Sequence, residues 1–156
     1  MARDFKEVWF VDFEFRASDG ENPEPRCMVA YGLHSKTLKR IWLHGIKGGQ
    51  SPVDLGDESL YVAYYASAEM GCHLSLDWPL PENLLDLFVE FRVHMNGFNP
   101  QGGFGLLGAM SSFGLGHMAP STKDSMRELA MREGDYTAEE KEALMDYCEE
   151  DVRTSS

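Results

Sequence analysis

Basic residues are scarce in this chain of 156: 14 Lys and Arg stand against 26 Asp and Glu, for a formal net charge of −12. That balance excludes a protein that grips duplex nucleic acid or an anionic membrane by charge alone. It leaves room for an enzyme whose carboxylates hold divalent cations, because the metal then brings positive charge to the site. Cysteine is scarce too. Cys27, Cys72 and Cys148 are widely spaced, odd in number and form no CxxC pair, so a structural zinc site and a disulfide framework both read poorly. Reduced thiols in a cytoplasmic protein are the expectation. Charged residues are missing from Val93 to Thr122, but that stretch holds Pro100, Pro120, Asn96, Asn99, Gln101 and seven glycines. It therefore does not supply the roughly 20 continuous apolar helical residues of a membrane span. Residues 1–7 are charged and carry no targeting signal, so no membrane partner is expected. What is present, 43% hydrophobic and 26% charged residues, suits one ordinary globular domain over residues 1–156.

The first half alternates like a sheet. Val8 to Arg16 is rich in aromatic and β-branched residues and is apolar on both faces apart from two acids. Ser18 to Arg26, with Gly20, Pro23 and Pro25, reads as a loop. Cys27 to His34 and Arg40 to His44 read as two further strands of an antiparallel meander, and Leu60 to Ala66 as a buried fourth strand. Helical signals then take over. Ser67 is placed as the N-cap of a helix to Leu76, stopped by Pro79 and Pro81, and Asp86 as the cap of one running to about Asn96. An apolar helix is expected from about Phe104 to Phe113, another from Ser121 to near Gly134. Thr137-Ala138-Glu139-Glu140 is a capping box opening a last helix to about Arg153. Strands first and helices later point to an α/β layered fold.

Two pairs of residues carry chemistry. Asp12 and Glu14 are two apart on the first strand, so their carboxylates sit side by side on one face. Adjacent acids on a central strand repel each other and lose hydration unless a cation neutralises them. The plainer reading is an acid pair at an exposed strand end, answered by a Lys or Arg. Tyr147 and Asp151 are four apart on the last helix and share an inward face with Leu144 and Cys148, while Glu139, Glu140, Glu142, Glu149 and Glu150 face outward. Three or more carboxylates converging from a strand and a distant helix form a hard oxygen site suited to Mg²⁺ or Mn²⁺. Such a site serves phosphodiester hydrolysis by two metals about 4 Å apart, with a tyrosine hydroxyl orienting the attacking water or helping to remove its proton.

Val11-Asp12-Phe13-Glu14, together with Tyr147-Cys148-Glu149-Glu150-Asp151-Val152, resembles the first and third motifs of DEDD-type 3′→5′ exonucleases. The match is to the tyrosine-containing branch, which includes the proofreading domain of DNA polymerase I and RNase D. The resemblance spans nearly the whole chain, with about 135 residues between the motifs. It implies an RNase H-like fold with a mixed central sheet flanked by helices, two Mg²⁺ or Mn²⁺ ions, and stepwise release of 5′-mononucleotides from a 3′ end. The middle motif departs from the family's Asn-x-x-x-Asp. By position Tyr65 replaces the asparagine and Glu69 the aspartate, in Tyr65-Ala66-Ser67-Ala68-Glu69. Glu69 is ranked first as the fourth acid and Asp86, read more plainly as a helix cap, second. The chain carries five residues past Asp151, where the family's last helix continues, so the C-terminal helix is read as shortened.

The remaining residues read more plainly. Lys123, Arg127 and Arg132 suit a solvated helix face better than phosphate contacts, and His73, His94 and His117 show no ligand spacing. Met110, Met118, Met126 and Met131 are taken as core filler, and Phe13 and Phe15 as core before base-stacking groups. The leading expectation is a metal-dependent exonuclease acting on the 3′ end of single-stranded DNA or RNA, DNA first. Asp12, Glu14, Asp151 and Glu69 hold metal and Tyr147 positions water, in a free-standing enzyme or one joined to a polymerase or to a second copy. The alternative is a catalytically degenerate exonuclease-like domain that binds nucleic acid or protein, for which the altered middle motif speaks.

Overall fold

The computed structural model describes residues 4–115 and 120–156, with the backbone alone for 120–123. Five strands, β1 (Glu7–Arg16), β2 (Glu24–Gly32), β3 (Leu38–Trp42), β4 (Ser59–Ala63) and β5 (Leu84–Asp86), form one sheet in the order β3-β2-β1-β4-β5. β1, β2 and β3 pair antiparallel, whereas β1–β4 and β4–β5 are parallel, so the sheet is mixed. Five helices flank it: α1 (Ala66–Ser75), α2 (Leu87–Met95), α3 (Leu106–Ser112), α4 (Pro120–Met131) and α5 (Ala138–Ser155).

β1 is the axis of the molecule, and its alternation sorts the two cores. Trp9, Val11 and Phe13 point to one face and join Met28, Tyr61, Ala66, Cys72 and Trp78 beneath α1. Phe10 points the other way, toward Cys27, Val29, Leu144, Cys148 and Val152, where α5 crosses the sheet. Asp12 and Glu14 share the parity of Phe10 and so face α5. α5 itself starts at the expected capping box: the Thr137 hydroxyl accepts from the Glu140 N–H at 3.2 Å, and the Glu140 carboxylate accepts from the Thr137 N–H at 2.8 Å. Arg40 on β3 reaches three acids of this helix, Glu142, Asp146 and Glu149, at 2.9, 2.7 and 3.3 Å.

The segment read as a loop to Arg26 is strand from Glu24 onward. A bulge makes this possible. Glu14 pairs with Cys27 and Phe15 with Pro25, leaving Arg26 as the extra residue and Pro25 free of a ladder donor it does not possess. The bulge turns the Arg26 side chain inward, 2% exposed, where it donates to the Ala130 and Arg132 carbonyls at 3.2 Å each, at the C-terminal end of α4.

The first helix also begins differently from expectation. Its N-cap is Tyr65, at φ 70° and ψ 55°, without a side-chain cap of its own; Ser67 lies inside the helix. The missing acceptor comes from Asp86, whose carboxylate accepts from Tyr65 N–H at 3.2 Å and Ala66 N–H at 3.0 Å. β3 ends at Trp42 and β4 at Ala63, each shorter or earlier than read, and α3 starts two residues late, at Leu106. Met131 is exposed, so it is not core filler, and Met110 is buried. His117 and Met118 lie outside the described residues, as does the side chain of Lys123. Among the described residues no helix is long and apolar enough to cross a membrane.

Candidate active site

Asp12 and Glu14 leave β1 just where the strand loses a neighbour. Pairing with β4 ends at Phe10↔Val62, after which β4 runs out into α1. α5 closes the site from the α5 side of the sheet, with Leu144, Tyr147, Cys148 and Val152 buried against it. Its next inward residue brings Asp151 to the strand pair. Carboxylate oxygens of Asp12, Glu14 and Asp151 all lie within 4.8 Å of one another, each residue half-buried. Like charges about 4 Å apart near a protein surface repel by about 4 kcal/mol per pair. A group of three, held there by strand and helix, could hold a cation.

Tyr147 stands one helical turn before Asp151 and is buried. Burial pushes its phenol well above the ordinary tyrosine range, and the charges of Asp151, Glu14 and Asp12 push it further. Cys148, the next residue, places its sulfur 3.2 Å from Asp12 Oδ2. Burial raises this thiol far above its ordinary range, aided by the neighbouring Cys27 and by Asp12. All three cysteines are free thiols and buried.

Glu69 is brought to the same neighbourhood by α1, but it stands apart from the group of three. Its side chain is 3% exposed and its Oε2 has no hydrogen-bond partner. The carboxyl accepts from the backbone N–H of Phe13, between the two strand acids. Burial raises its pKa well above the ordinary carboxylate value, and the Asp12 and Asp86 charges add to the rise. A buried, orphaned carboxyl oxygen next to Asp12 is what a bound cation would satisfy, so the donor set, hard oxygens throughout, fits Mg²⁺ or Mn²⁺. Asp86 has another occupation. Besides Tyr65 and Ala66, its Oδ1 accepts from Phe88 N–H at 2.9 Å and Val89 N–H at 3.4 Å, so it caps α1 and α2 together.

The cavity beside the acids, about 250 Å³, is lined by Asp12 and Asp151 and by Tyr64, Tyr65, Phe88, Gly105 and Leu106. Of these walls the sequence singles out only Tyr65, as the residue in place of the middle motif's asparagine; Tyr64 and Phe88 join it only through the strand–turn–helix geometry that brings residues 64–65, 88 and 105–106 together. Tyr65 is 53% exposed, with its ring 5.0 Å from that of Phe88. The Tyr64 hydroxyl donates to the Phe104 carbonyl at 2.5 Å, and burial lifts its pKa to about 12. Phe13, by contrast, is core: it packs against His73 and Trp78. His73 is fully buried, with Nε2 3.2 Å from the Tyr61 hydroxyl and Nδ1 2.9 Å from the Pro79 carbonyl. Arg132 is taken up by a two-pronged pair with Glu140, at 2.6 and 2.7 Å.

No protein-family model and no curated protein sequence matches the chain. In three dimensions it superposes on the crystal structure of the EXO domain of Nibbler from Aedes aegypti, with a TM-score of 0.53 and 11% sequence identity. The alignment covers 95% of this chain and 77% of that one. The fold is the α/β RNase H-like fold of an exonuclease domain. Of the four acids expected from the sequence as metal ligands, Asp12, Glu14 and Asp151 come together, and Glu69 lies outside that group.

Proposed function

We propose that this chain is a metal-dependent 3′→5′ exonuclease of the tyrosine-containing DEDD type, a single domain over residues 1–156. Its substrate is the 3′ end of single-stranded nucleic acid, DNA before RNA, and its products are 5′-mononucleotides. The observation that carries this reading is the convergence of Asp12, Glu14 and Asp151 to within 4.8 Å, with the buried Tyr147 one helical turn before Asp151. Asp12, Glu14 and Asp151 would hold two divalent ions, Mg²⁺ or Mn²⁺, with Glu69 as the fourth acid. When bound, such ions lower the pKa of a water and stabilise the departing 3′ oxygen.

The rest falls to the chain's own residues. Tyr147, one helical turn before Asp151, orients the attacking water. The exposed Tyr65 ring is offered to a terminal base, a contact tolerant of sequence. A net charge of −12 matches a protein that holds a few terminal nucleotides and does not embrace a long duplex. The assembled carboxylate group gives a purely structural, non-catalytic domain little support.

A time course on 5′-labelled single-stranded DNA and RNA oligonucleotides, with Mg²⁺, Mn²⁺ or EDTA, tests the proposal. We expect a ladder shortening from the 3′ end, lost in EDTA and reduced about a thousandfold or more by Asp12→Asn. Tyr147→Phe should lower kcat by about a hundredfold with little change in KM. Absence of any ladder with either metal, from folded protein, would replace this reading with the degenerate one.

A further inference from the structure

Cys148 touches the carboxylate group from within the core. It is 0% exposed and packs with Cys27, Val29, Leu144 and Val152 between α5 and the sheet. Its sulfur lies 3.2 Å from Asp12 Oδ2 and 3.2 Å from the Asp12 carbonyl oxygen. A carboxylate only accepts, so the thiol is the donor, and a charged oxygen is the stronger of the two acceptors. The contact bridges 136 positions of sequence and ties the helix that carries Asp151 to the strand residue it must meet.

Resting on the reading of Asp12 as a cation ligand, we infer that Cys148 is a positioning residue, whose thiol holds Asp12 in the rotamer that meets Glu14 and Asp151. Sulfur suits the place. It is apolar enough to be fully buried beside Val29 and Leu144, reaches Oδ2 across a long contact, and is a weak donor that leaves the carboxylate its charge. Alanine would remove this donor from Oδ2 of Asp12; serine would keep a donor in nearly the same place. Cys27 lies opposite Glu14 in the strand register and is also a hydrogen-bond neighbour of the Cys148 thiol, so Cys27→Ala tests whether Cys148 acts through Asp12 or through this second sulfur.

Mn²⁺ binding, followed by calorimetry on the full chain, decides the matter without reference to activity. We expect wild type to bind Mn²⁺, Cys148→Ala to bind about tenfold more weakly, as for other partners that orient a metal ligand, and Cys148→Ser to regain most of the loss. Cys27→Ala should lower Tm but leave Mn²⁺ affinity unchanged. Wild-type affinity in Cys148→Ala, or an equal loss in Cys27→Ala, would overturn the inference while leaving the nuclease reading intact. Failure of wild type to bind Mn²⁺ would remove both. Should Cys148→Ala not fold, the infrared S–H stretch of otherwise native protein replaces it. The Cys148 band should be displaced by its bond to the charged oxygen and should shift back in Asp12→Asn; an unmoved band overturns the inference.

Discussion

The backbone N–H of Tyr65 donates to Asp86 Oδ1 at 3.2 Å, and this bond helps to hold a tyrosine at φ 70° on the wall of the carboxylate cavity. A left-handed backbone at a residue with a Cβ costs about 1–2 kcal/mol and persists only where its surroundings impose it. Here the imposing group is a single carboxylate that serves the first turns of both α1 and α2.

Asp86 is therefore expected to matter for stability first. Replacing it with alanine strips the acceptor from two helix starts and should cost about 2 kcal/mol or more in urea unfolding, with Asp86→Asn intermediate. Mn²⁺ affinity should fall far less than in Asp12→Asn. The reverse pattern would make Asp86 a ligand and not a cap.

Tyr65→Gly separates strain from function. Glycine occupies φ 70° freely, which offsets the lost ring contact with Phe88, so stability should change by no more than about 1 kcal/mol. KM for a single-stranded oligonucleotide should rise about tenfold, in keeping with about 1–3 kcal/mol for a stacked base. An unchanged KM would show that the ring does not meet substrate.

Glu69→Gln keeps the shape of the side chain and removes its ability to ionise. In the metal-free protein the change should leave Tm unchanged or raise it, because a buried carboxyl facing Asp12 is replaced by a neutral amide. With Mn²⁺ present, the stabilisation that metal confers should shrink, measured as the difference in Tm with and without the ion. Equal metal-induced shifts in Glu69→Gln and wild type would remove Glu69 from the ligand set.

Acid should act through Glu7. Its Oε1 accepts from the Val8 and His34 N–H groups at 2.9 and 2.8 Å, and Oε2 from the Ser35 N–H at 3.0 Å. Partial burial opposes the charge, but the hydrogen bonds from Ser35, His34 and Val8 prevail and draw the pKa from 4.5 down to about 2. The folded state thus binds its proton later than the unfolded chain as pH falls. The contribution is complete above about pH 4.5 and disappears as pH drops toward about 2. Thermal unfolding followed across that window should show a steeper fall in Tm for wild type than for Glu7→Gln, whose baseline Tm should be lower at pH 7.

Local pattern carried much of this molecule. The alternation of β1 is enough to put Asp12 and Glu14 on one face and Phe13 on the other, because strand period depends on backbone geometry alone. Likewise, the capping box at Thr137 and the four-residue spacing of Tyr147 and Asp151 specify α5 and its inward stripe. Other features arise only when distant segments meet. The bulge that turns Arg26 inward depends on how β2 registers against β1. Tyr65, and not Ser67, begins α1 because Asp86 reaches it from 21 positions away. The orphaned oxygen of Glu69 and the Cys148–Asp12 contact depend on packing between layers, where burial, and not residue type, decides what a carboxyl or a thiol does. Sequence periodicity determined which acids share a face; the tertiary structure alone decided which of them meet, because that requires the helix at one end of the chain to close over the strand at the other.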